Sequence, residues 1–479
     1  MLFNSISFLV FFPIVFVLYW FATKRNLKWQ NILLLVASYY FYACWDWRFL
    51  FLLVFSTLLD YYTGIKMDES ENQQKRRFWF WLSVIINLGF LGIFKYYNFF
   101  IASFAEGLSQ VGINLNIWTI KVILPVGISF YTFHGLSYVI DIYNKKIKAE
   151  RNFVDYSLFV SYFPLLVAGP IERATHLLPQ IKQKRTFDSE HAIRGIELMI
   201  WGFFKKVVIA DTMSVIVNKV YDDPAAFGSS SLIIAAIAFS FQIYCDFSGY
   251  SDIAIGTSKL LGIELIQNFN FPYLSRNIAE FWRRWHISLS TWFRDYLYIP
   301  LGGSKLSLLF SVRNVFAIFL VSGIWHGANW TFVIWGGIHA LLFIPSFLAG
   351  SNKKYKEDIV HKNKMLPSVN DLFQMLITFF FVSIAWIFFR AATVKEAFQF
   401  LANIIQRKKG QSISFENSEL IGYVIMFASF FAISTYLLYR KNHLTQPTRF
   451  KQFAVSIFLL ILIALFGQFS KQSFIYFQF

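Results

Sequence analysis

Residues 314–350 read NVFAIFLVSGIWHGANWTFVIWGGIHALLFIPSFLAG, without one Lys, Arg, Asp or Glu. A helix that crosses a bilayer needs about 20 mostly apolar residues. The stretch holds two such candidates, near Val315–Trp325 and Trp330–Phe347. Its markedly polar members after Asn314 are His326, Asn329 and His339. Ionisable groups at membrane depth are costly and are functional candidates by default. Gly323 and Gly327 bracket His326 and permit close backbone approach or a helix break. Helical spacing puts His326 on one face with Asn329 and with Trp330. An imidazole titrates near pH 6.5, and a dry pocket lowers that value, keeping the ring neutral and basic. Proton transfer by His326 and simple packing against a backbone carbonyl both fit this pattern. His339 is thirteen residues on, about 20 Å along a continuous helix and on another face. It reaches the same site only if the helix breaks, the candidate break being Gly336-Gly337. Otherwise it is structural.

The rest of the chain extends the pattern. Of 479 residues, 56% are hydrophobic, 20% aromatic and 15% charged, and the mean hydropathy is +0.50. A soluble domain is about 45–50% apolar and about 25% charged. Apolar runs recur near Ile6–Phe21, Asn31–Ala43, Phe49–Tyr61, Trp79–Phe94, Trp118–Ile140 and Ser231–Tyr244. Past residue 350 they recur at Phe373–Phe389, Leu420–Tyr439 and Phe453–Phe466. These imply an all-α polytopic membrane protein of roughly eleven transmembrane helices. Tyr97–Phe104 and Tyr156–Val167 are short enough to be re-entrant. No separate soluble module is evident, so residues 1–479 read as a single integral membrane domain. Before the first apolar run there is no basic residue, and Lys24 and Arg25 follow it. That order predicts a retained membrane helix rather than a cleavable signal.

Basic residues outnumber acidic ones by 44 to 27, a net +17. They sit in short loops between apolar runs, which points to lipid headgroups or an anionic cosubstrate and away from nucleic acid. Lys24, Arg25 and Lys28, then Lys66, Lys75, Arg76 and Arg77, then Lys145, Lys146, Lys148 and Arg151 mark cytoplasmic loops, placing the amino terminus outside. Residues 172–194 read as a basic cytoplasmic loop leading into an interfacial helix broken by Lys205 and Lys206. Residues 406–417 are the best candidate for a mobile loop. Cys44 and Cys245 give neither a disulfide framework nor metal spacing.

Three further windows carry polar residues. Residues 268–273 read NFNFPY and 281–296 read FWRRWHISLSTWFRDY. Trp282, Trp285 and Trp292 suit headgroup depth while Arg283, Arg284 and Arg294 face water or an anion. This segment is either a wall of a substrate path, with Arg283 and Arg284 holding a pyrophosphate, or a lipid-anchoring belt. His286 lies within it. Residues 244–252, YCDFSGYSD, place Asp246 and Asp252 beside an apolar run, where they need partners such as Arg283, Arg284 or Arg294. Residues 165–173, LLVAGPIER, end a hydrophobic segment at Gly-Pro. His134 reads as a packing residue, and His176, His191, His361 and His443 as solvated. There is no Walker loop, dinucleotide fingerprint, HExxH, paired CxxC or GxSxG elbow. That pattern speaks against ATP hydrolysis, nicotinamide chemistry and a bound metal. No internal repeat of the kind found in many transporters is visible.

The stretches GISFYTF (127–133), SYVID (137–141), AGPIER (168–173), DFSGYSD (246–252), 282–296, WHGANWT (325–331) and WIFFRA (386–391) resemble the membrane-bound O-acyltransferase family. The likeness is strongest to the bacterial branch that serves alginate O-acetylation and teichoic acid D-alanylation. It covers core motifs from about 127 to 337, flanked by peripheral helices over 1–110 and 370–470. The resemblance implies a ring of helices around a central tunnel. It makes His326, in Trp-His-Gly, and His286, in Arg-Trp-His-x-Ser, the catalytic pair. Together with the windows above, Trp325, Asn329, Trp330, Trp282, Trp285, Arg283, Arg284, Asp246 and Tyr250 are the candidate residues of the substrate path or tunnel. No bound cofactor or metal is implied. Acetyl-coenzyme A or another acyl thioester would be the donor, and a polysaccharide of the bacterial envelope the final acceptor. An extracytoplasmic acetyltransferase partner would complete the transfer across the cytoplasmic (inner) membrane. D-alanyl transfer from a carrier protein is the neighbouring alternative. A polysaccharide transporter or flippase is the competing class, favoured by Asp246 and Asp252 but not by the missing repeats.

Overall fold

The computed structural model describes residues 1–120, 124–305, 307–355, 367–443, 448–469 and 474–475. These residues are mainly helical and include no β-strand beyond an isolated bridge between Phe227 and Gln411. They form two compact units, Met1–Ile196 with Ala254–Ile266, and Glu197–Ile253 with Gln267–Phe479. The first unit contains α1 (Ile6–Val17), α2 (Leu27–Asp46), α3 (Leu50–Glu69), α4 (Gln73–Leu91), α5 (Tyr97–Ser109), α6 (Ile128–Tyr143), α7 (Phe153–Ser161), α8 (Phe163–Leu166) and α9 (Ala174–Ile181). The chain leaves this unit in α10 (Ser189–Phe203), continues through α11 (Asp211–Tyr221) and re-enters it at the end of α12 (Ser229–Leu260). The second unit adds α13 (Ile278–Arg284), α14 (Ile287–Phe293), α15 (Leu308–His326), α16 (Trp330–Leu348), α17 (Val369–Arg390), α18 (Val394–Ile405), α19 (Asn417–His443) and α20 (Arg449–Phe466).

Eight stretches are long and apolar enough to cross a membrane among the described residues. The protein is therefore an all-α, multi-pass membrane protein. The expected spans at Asn31–Ala43 and Phe49–Tyr61 both lie within one of these stretches, Leu27–Glu69. The most apolar window of α12 is 78% buried, whereas that of α20 is 11% buried. α12 thus packs in protein while α20 turns its sides to lipid. Polar side chains set where helices begin. The oxygens of Asn26, Asn72 and Asn152 accept from backbone N–H groups in the first turns of α2, α4 and α7, satisfying donors that a helix start leaves open.

Two expectations about spans are corrected. Trp118–Ile140 is not one helix: α6 starts at Ile128 after Gly127, whose φ is +76°. A side chain at Gly127 would lie 2.2 Å from the Leu166 carbonyl, so glycine serves both the turn and the close approach. Tyr97–Phe104 is not separate either. α4 and α5 are joined by a π-helical turn, Gly92–Tyr96, into a stretch of 37 residues.

The first unit is held by buried polar bonds. Asp60 on α3 accepts from Ser83 Oγ at 2.6 Å and Asn87 Nδ2 at 2.8 Å on α4. Gly135 on α6 faces the same carboxylate, with no room for a side chain. Glu172, at the end of the Ala-Gly-Pro motif, is fully buried. Its Oε1 accepts from the Ile266 N–H at 2.7 Å and its Oε2 meets His176 Nδ1 at 2.7 Å. That carboxylate raises the His176 pKa, so His176 is paired rather than merely solvated. His191 is likewise near a carboxylate, Glu264 Oε1 at 3.4 Å. His134 is a packing residue as expected: it is fully buried and its Nε2 accepts from the Glu172 N–H. His361 and the side chain of His443 lie outside the described residues.

In the second unit α15 and α16 form a close hairpin. Side chains at Gly323 and Gly336 would lie 2.3 and 2.2 Å from the carbonyls of Phe332 and Phe319. Small residues of this kind let membrane helices approach backbone to backbone. The stretch 406–417 is pinned at its start. Gln411 exchanges backbone bonds with Ala226 and Gly228, and Ser229 Oγ donates to the Asn403 carbonyl. The expectation of a mobile loop does not hold there. Cys44 is exposed and Cys245 buried, both as free thiols.

Candidate active site

The chain turns sharply where the two sequence windows meet. The Asn270 N–H donates to the Arg284 carbonyl and the Ile287 N–H to the Asn268 carbonyl, each at 2.9 Å. This pairing joins the NFNFPY segment to the end of α13 and the start of α14. Phe271 and His286 adopt left-handed backbone, with φ of +48° and +43°. Such conformations cost about 1–3 kcal/mol in a non-glycine residue and persist where the surroundings over-determine them.

His286 is fully buried. Its ring meets Phe247 edge-on at 4.7 Å, Trp325 at 6.0 Å and His326 at 6.5 Å. Burial pushes its pKa down to about 3, so the imidazole is neutral at physiological pH. Its Nδ1 lies 3.1 Å from Asn268 Oδ1, and its Nε2 has no hydrogen-bond partner among the described residues. His326 ends α15 and is 4% exposed. Trp325, Trp335 and Phe389 surround its ring at 4.9, 5.0 and 5.3 Å.

His339 joins the same aromatic group through Trp335, at 4.9 Å. The helix breaks, but at Gly327–Asn329 and not at Gly336-Gly337, which lie inside α16. His339 Nδ1 accepts from Trp282 Nε1 at 3.3 Å. It positions Trp282, which in turn touches Trp335 at 5.8 Å. The break also removes the shared helical face expected for His326, Asn329 and Trp330. Asn329 instead caps α16, accepting from the Thr331 N–H and donating to the Ala392 carbonyl at 2.8 Å. Trp330 is 51% exposed. Trp285 packs against Trp386 at 4.9 Å, away from water.

A cavity of about 850 Å³ opens against Trp282. Trp282, Arg283, Arg284, Arg294, Phe319 and Ser322 are among the residues that line it. Ser322 is one turn before His326. Arg284 Nη2 donates to Glu280 Oε1 at 2.7 Å, and Arg283 donates to the carbonyls of Asn352 and Lys354 at 2.8 and 3.1 Å. Arg294 pairs with Asp295. None of the three neutralises Asp246 or Asp252. Those partners are Lys206, 2.8 Å from Asp246 and 2.7 Å from Asp211, and Lys205, 2.6 Å from Asp252. Lys205 and Lys206 are buried, not interfacial. Asp246 Oδ2 also accepts from the Ile475 N–H at 2.8 Å, and Phe474 packs on Tyr250 at 5.0 Å. The sequence windows did not single out Asn268, Trp335, Lys205 or Lys206 for the site. The signal for the lysines was present, as ionisable residues inside an apolar run. No cluster of three or more His, Cys, Asp or Glu fit to hold a metal occurs among the described residues.

The sequence pattern of the membrane-bound O-acyltransferase family matches residues 142–351. A peptidoglycan O-acetyltransferase of Helicobacter pylori is 33% identical over 534 aligned positions, covering 100% of this chain and 98% of the relative. The chain belongs to the membrane-bound O-acyltransferase family. A probable alginate O-acetylase of Pseudomonas aeruginosa is 39% identical over 403 residues, 83% of this chain and 74% of the relative. A teichoic acid D-alanyltransferase of Bacillus subtilis is 30% identical over 279 residues, 55% of this chain and 68% of the relative. This membrane-bound O-acyltransferase thus carries its buried histidines within the matched segment, His286 and His326 both lying between residues 142 and 351. The acyltransferase reading takes precedence over a transporter or flippase.

Proposed function

We propose that this acyltransferase moves an acetyl group from a cytoplasmic thioester, acetyl-coenzyme A, to a polysaccharide of the bacterial envelope. The observation that carries the site assignment is the pair of buried imidazoles, His286 and His326, with ring centroids 6.5 Å apart. The arginine-lined cavity against Trp282 supports an anionic donor. Arginine presents several fixed N–H donors to phosphate, and Arg283 has the least carboxylate pairing of the three. Acetyl is favoured over D-alanyl because the two O-acetylating relatives align over 83% and 100% of this chain, and the D-alanylating one over 55%.

In the proposed step an acceptor oxygen attacks the thioester carbonyl carbon. A carbon–oxygen bond forms and the carbon–sulfur bond breaks. His326 takes the hydroxyl proton and returns it to the leaving thiolate. A positioned general base of this kind contributes about 10²–10⁴-fold. The enclosing tryptophans and phenylalanines exclude water, which would otherwise hydrolyse the thioester. The protein resides in the bacterial cytoplasmic membrane with its amino terminus outside. An extracytoplasmic acetyltransferase receives the group and completes its transfer to the polymer.

Membranes bearing the wild-type chain or His326→Ala, at matched protein levels, test this with labelled acetyl-coenzyme A. Label should reach a polysaccharide or partner in wild type and fall by at least about 100-fold in the variant. Equal labelling would remove His326 from the chemistry. Transfer seen only with a carrier-bound thioester would replace coenzyme A as donor.

A further inference from the structure

One nitrogen of the His286 ring, Nδ1, lies in a buried cluster of polar groups, 3.1 Å from Asn268 Oδ1 and 3.5 Å from Ser288 Oγ. Asn268 is fully buried, as are His286 and Ser288. Its Oδ1 accepts from the Ser288 N–H at 3.3 Å and from Ser288 Oγ at 2.9 Å, and its Nδ2 donates to Ser251 Oγ at 3.2 Å. A backbone N–H only donates, so the atom facing Ser288 is the amide oxygen and not the nitrogen. That same oxygen lies 3.1 Å from His286 Nδ1. An oxygen acceptor there requires a proton on Nδ1. We propose that Asn268 is the positioning residue of the site: it fixes His286 as the Nδ1–H form and leaves Nε2 as a hydrogen-bond acceptor beside His326, the base of the transfer. This rests on the reading of His286 as part of the acyl-transfer site.

The main chain supports the same assignment. The Asn268 carbonyl accepts from the Ile287 N–H, so one residue grips both the ring and the backbone next to it. His286 is thereby kept in its left-handed conformation, and its ring stays between Phe247, Phe269 and Trp325. The tautomer of an imidazole is set by the bond its other nitrogen makes. Without the Asn268 oxygen the two neutral forms would compete, and half of the molecules or more would offer the wrong nitrogen. Among the groups around His286, the titratable neighbour is His326 on α15. Of the charges on the adjoining elements, Asp246 and Asp252 of α12 pair with Lys206 and Lys205, Arg284 of α13 pairs with Glu280, and Arg283 of α13 donates to the carbonyls of Asn352 and Lys354.

The test follows acyl transfer against pH in membranes carrying wild type, Asn268→Asp, Asn268→Leu and Ser288→Ala. Thermal unfolding of each solubilised protein reports whether it folds. A carboxylate at position 268 keeps the acceptor but stabilises the His286 imidazolium, so His286 offers a bare Nε2 only at higher pH. The acidic limb of the Asn268→Asp profile should therefore move up by about one pH unit or more, with the plateau rate retained within about tenfold. Asn268→Leu should lower kcat by at least about tenfold, with KM for the donor within about threefold. Ser288→Ala removes a hydroxyl that donates to Asn268 Oδ1 and lies 3.5 Å from His286 Nδ1, and should lower kcat by less than Asn268→Leu does. A purely structural Asn268 would not move the pH profile. An Asn268→Asp profile that superimposes on wild type overturns the proposal while leaving the acyl-transfer reading standing. Wild-type membranes that are silent with every thioester overturn that reading, and this proposal with it.

Discussion

Lys206 shows how a residue is misread when its partners are tertiary. In sequence it interrupts an apolar run and looks interfacial. In the fold it is buried between Asp211 and Asp246, at 2.7 and 2.8 Å. Removing one member of such a group leaves uncompensated charge in a low dielectric. Lys206→Met should destabilise the folded protein by about 3–5 kcal/mol, measured as a fall in detergent-solubilised unfolding temperature and in membrane yield. Lys206→Met with Asp246→Asn should recover part of that loss. The histidines were legible for the opposite reason. His326 and His339 are the ionisable groups in a window empty of charge, and their burial follows from that composition alone. What could not be read was which face each ring presents. That depends on a break at Gly327–Asn329, and in sequence Gly327 and the pair Gly336-Gly337 both offer one.

At the scale of the element, the α15–α16 hairpin separates two neighbouring glycines. Gly336 sits where a side chain would strike the Phe319 carbonyl at 2.2 Å, whereas at Gly337 the nearest atom is Leu320 Cδ2 at 4.0 Å. Gly336→Leu should force the helices apart and cost about 1–3 kcal/mol or more. Gly337→Ala should be neutral or stabilising by about 0.4–1 kcal/mol, since alanine suits a helix better. Unfolding temperatures of the two proteins, purified side by side, check the contrast. Helix identity was legible from apolar run length, and helix ends were not. Gly127 ended the presumed Trp118–Ile140 span because a left-handed turn is invisible to hydropathy. A π-helical turn at Gly92–Tyr96 carried α4 on into α5, where Trp79–Phe94 and Tyr97–Phe104 had read as separate segments. Segment 406–411 was polar and charged, and its order comes from backbone bonds to 226–229 that no local pattern encodes.

At the scale of the molecule, composition settled the class: a chain this apolar and this poor in charge has its natural solvent in lipid. The all-α, multi-pass architecture and the acyltransferase family were legible. The division into two compact units was not, because α12 crosses from one to the other as a continuous helix. Orientation remains a proposal from the distribution of basic loops, and it has a direct test. In a chain with Cys44→Ser, a cysteine introduced by Lys75→Cys should escape a membrane-impermeant maleimide in intact cells and react after permeabilisation. Reaction in intact cells would invert the topology. The left-handed backbone at His286 bears on how this enzyme can be changed. Asparagine and glycine are at ease in that conformation, so bred for heat tolerance alone, the chain would be drawn to give up its imidazole there. Catalysts and survivors would part company at position 286, and a screen for hardiness needs a screen for turnover beside it.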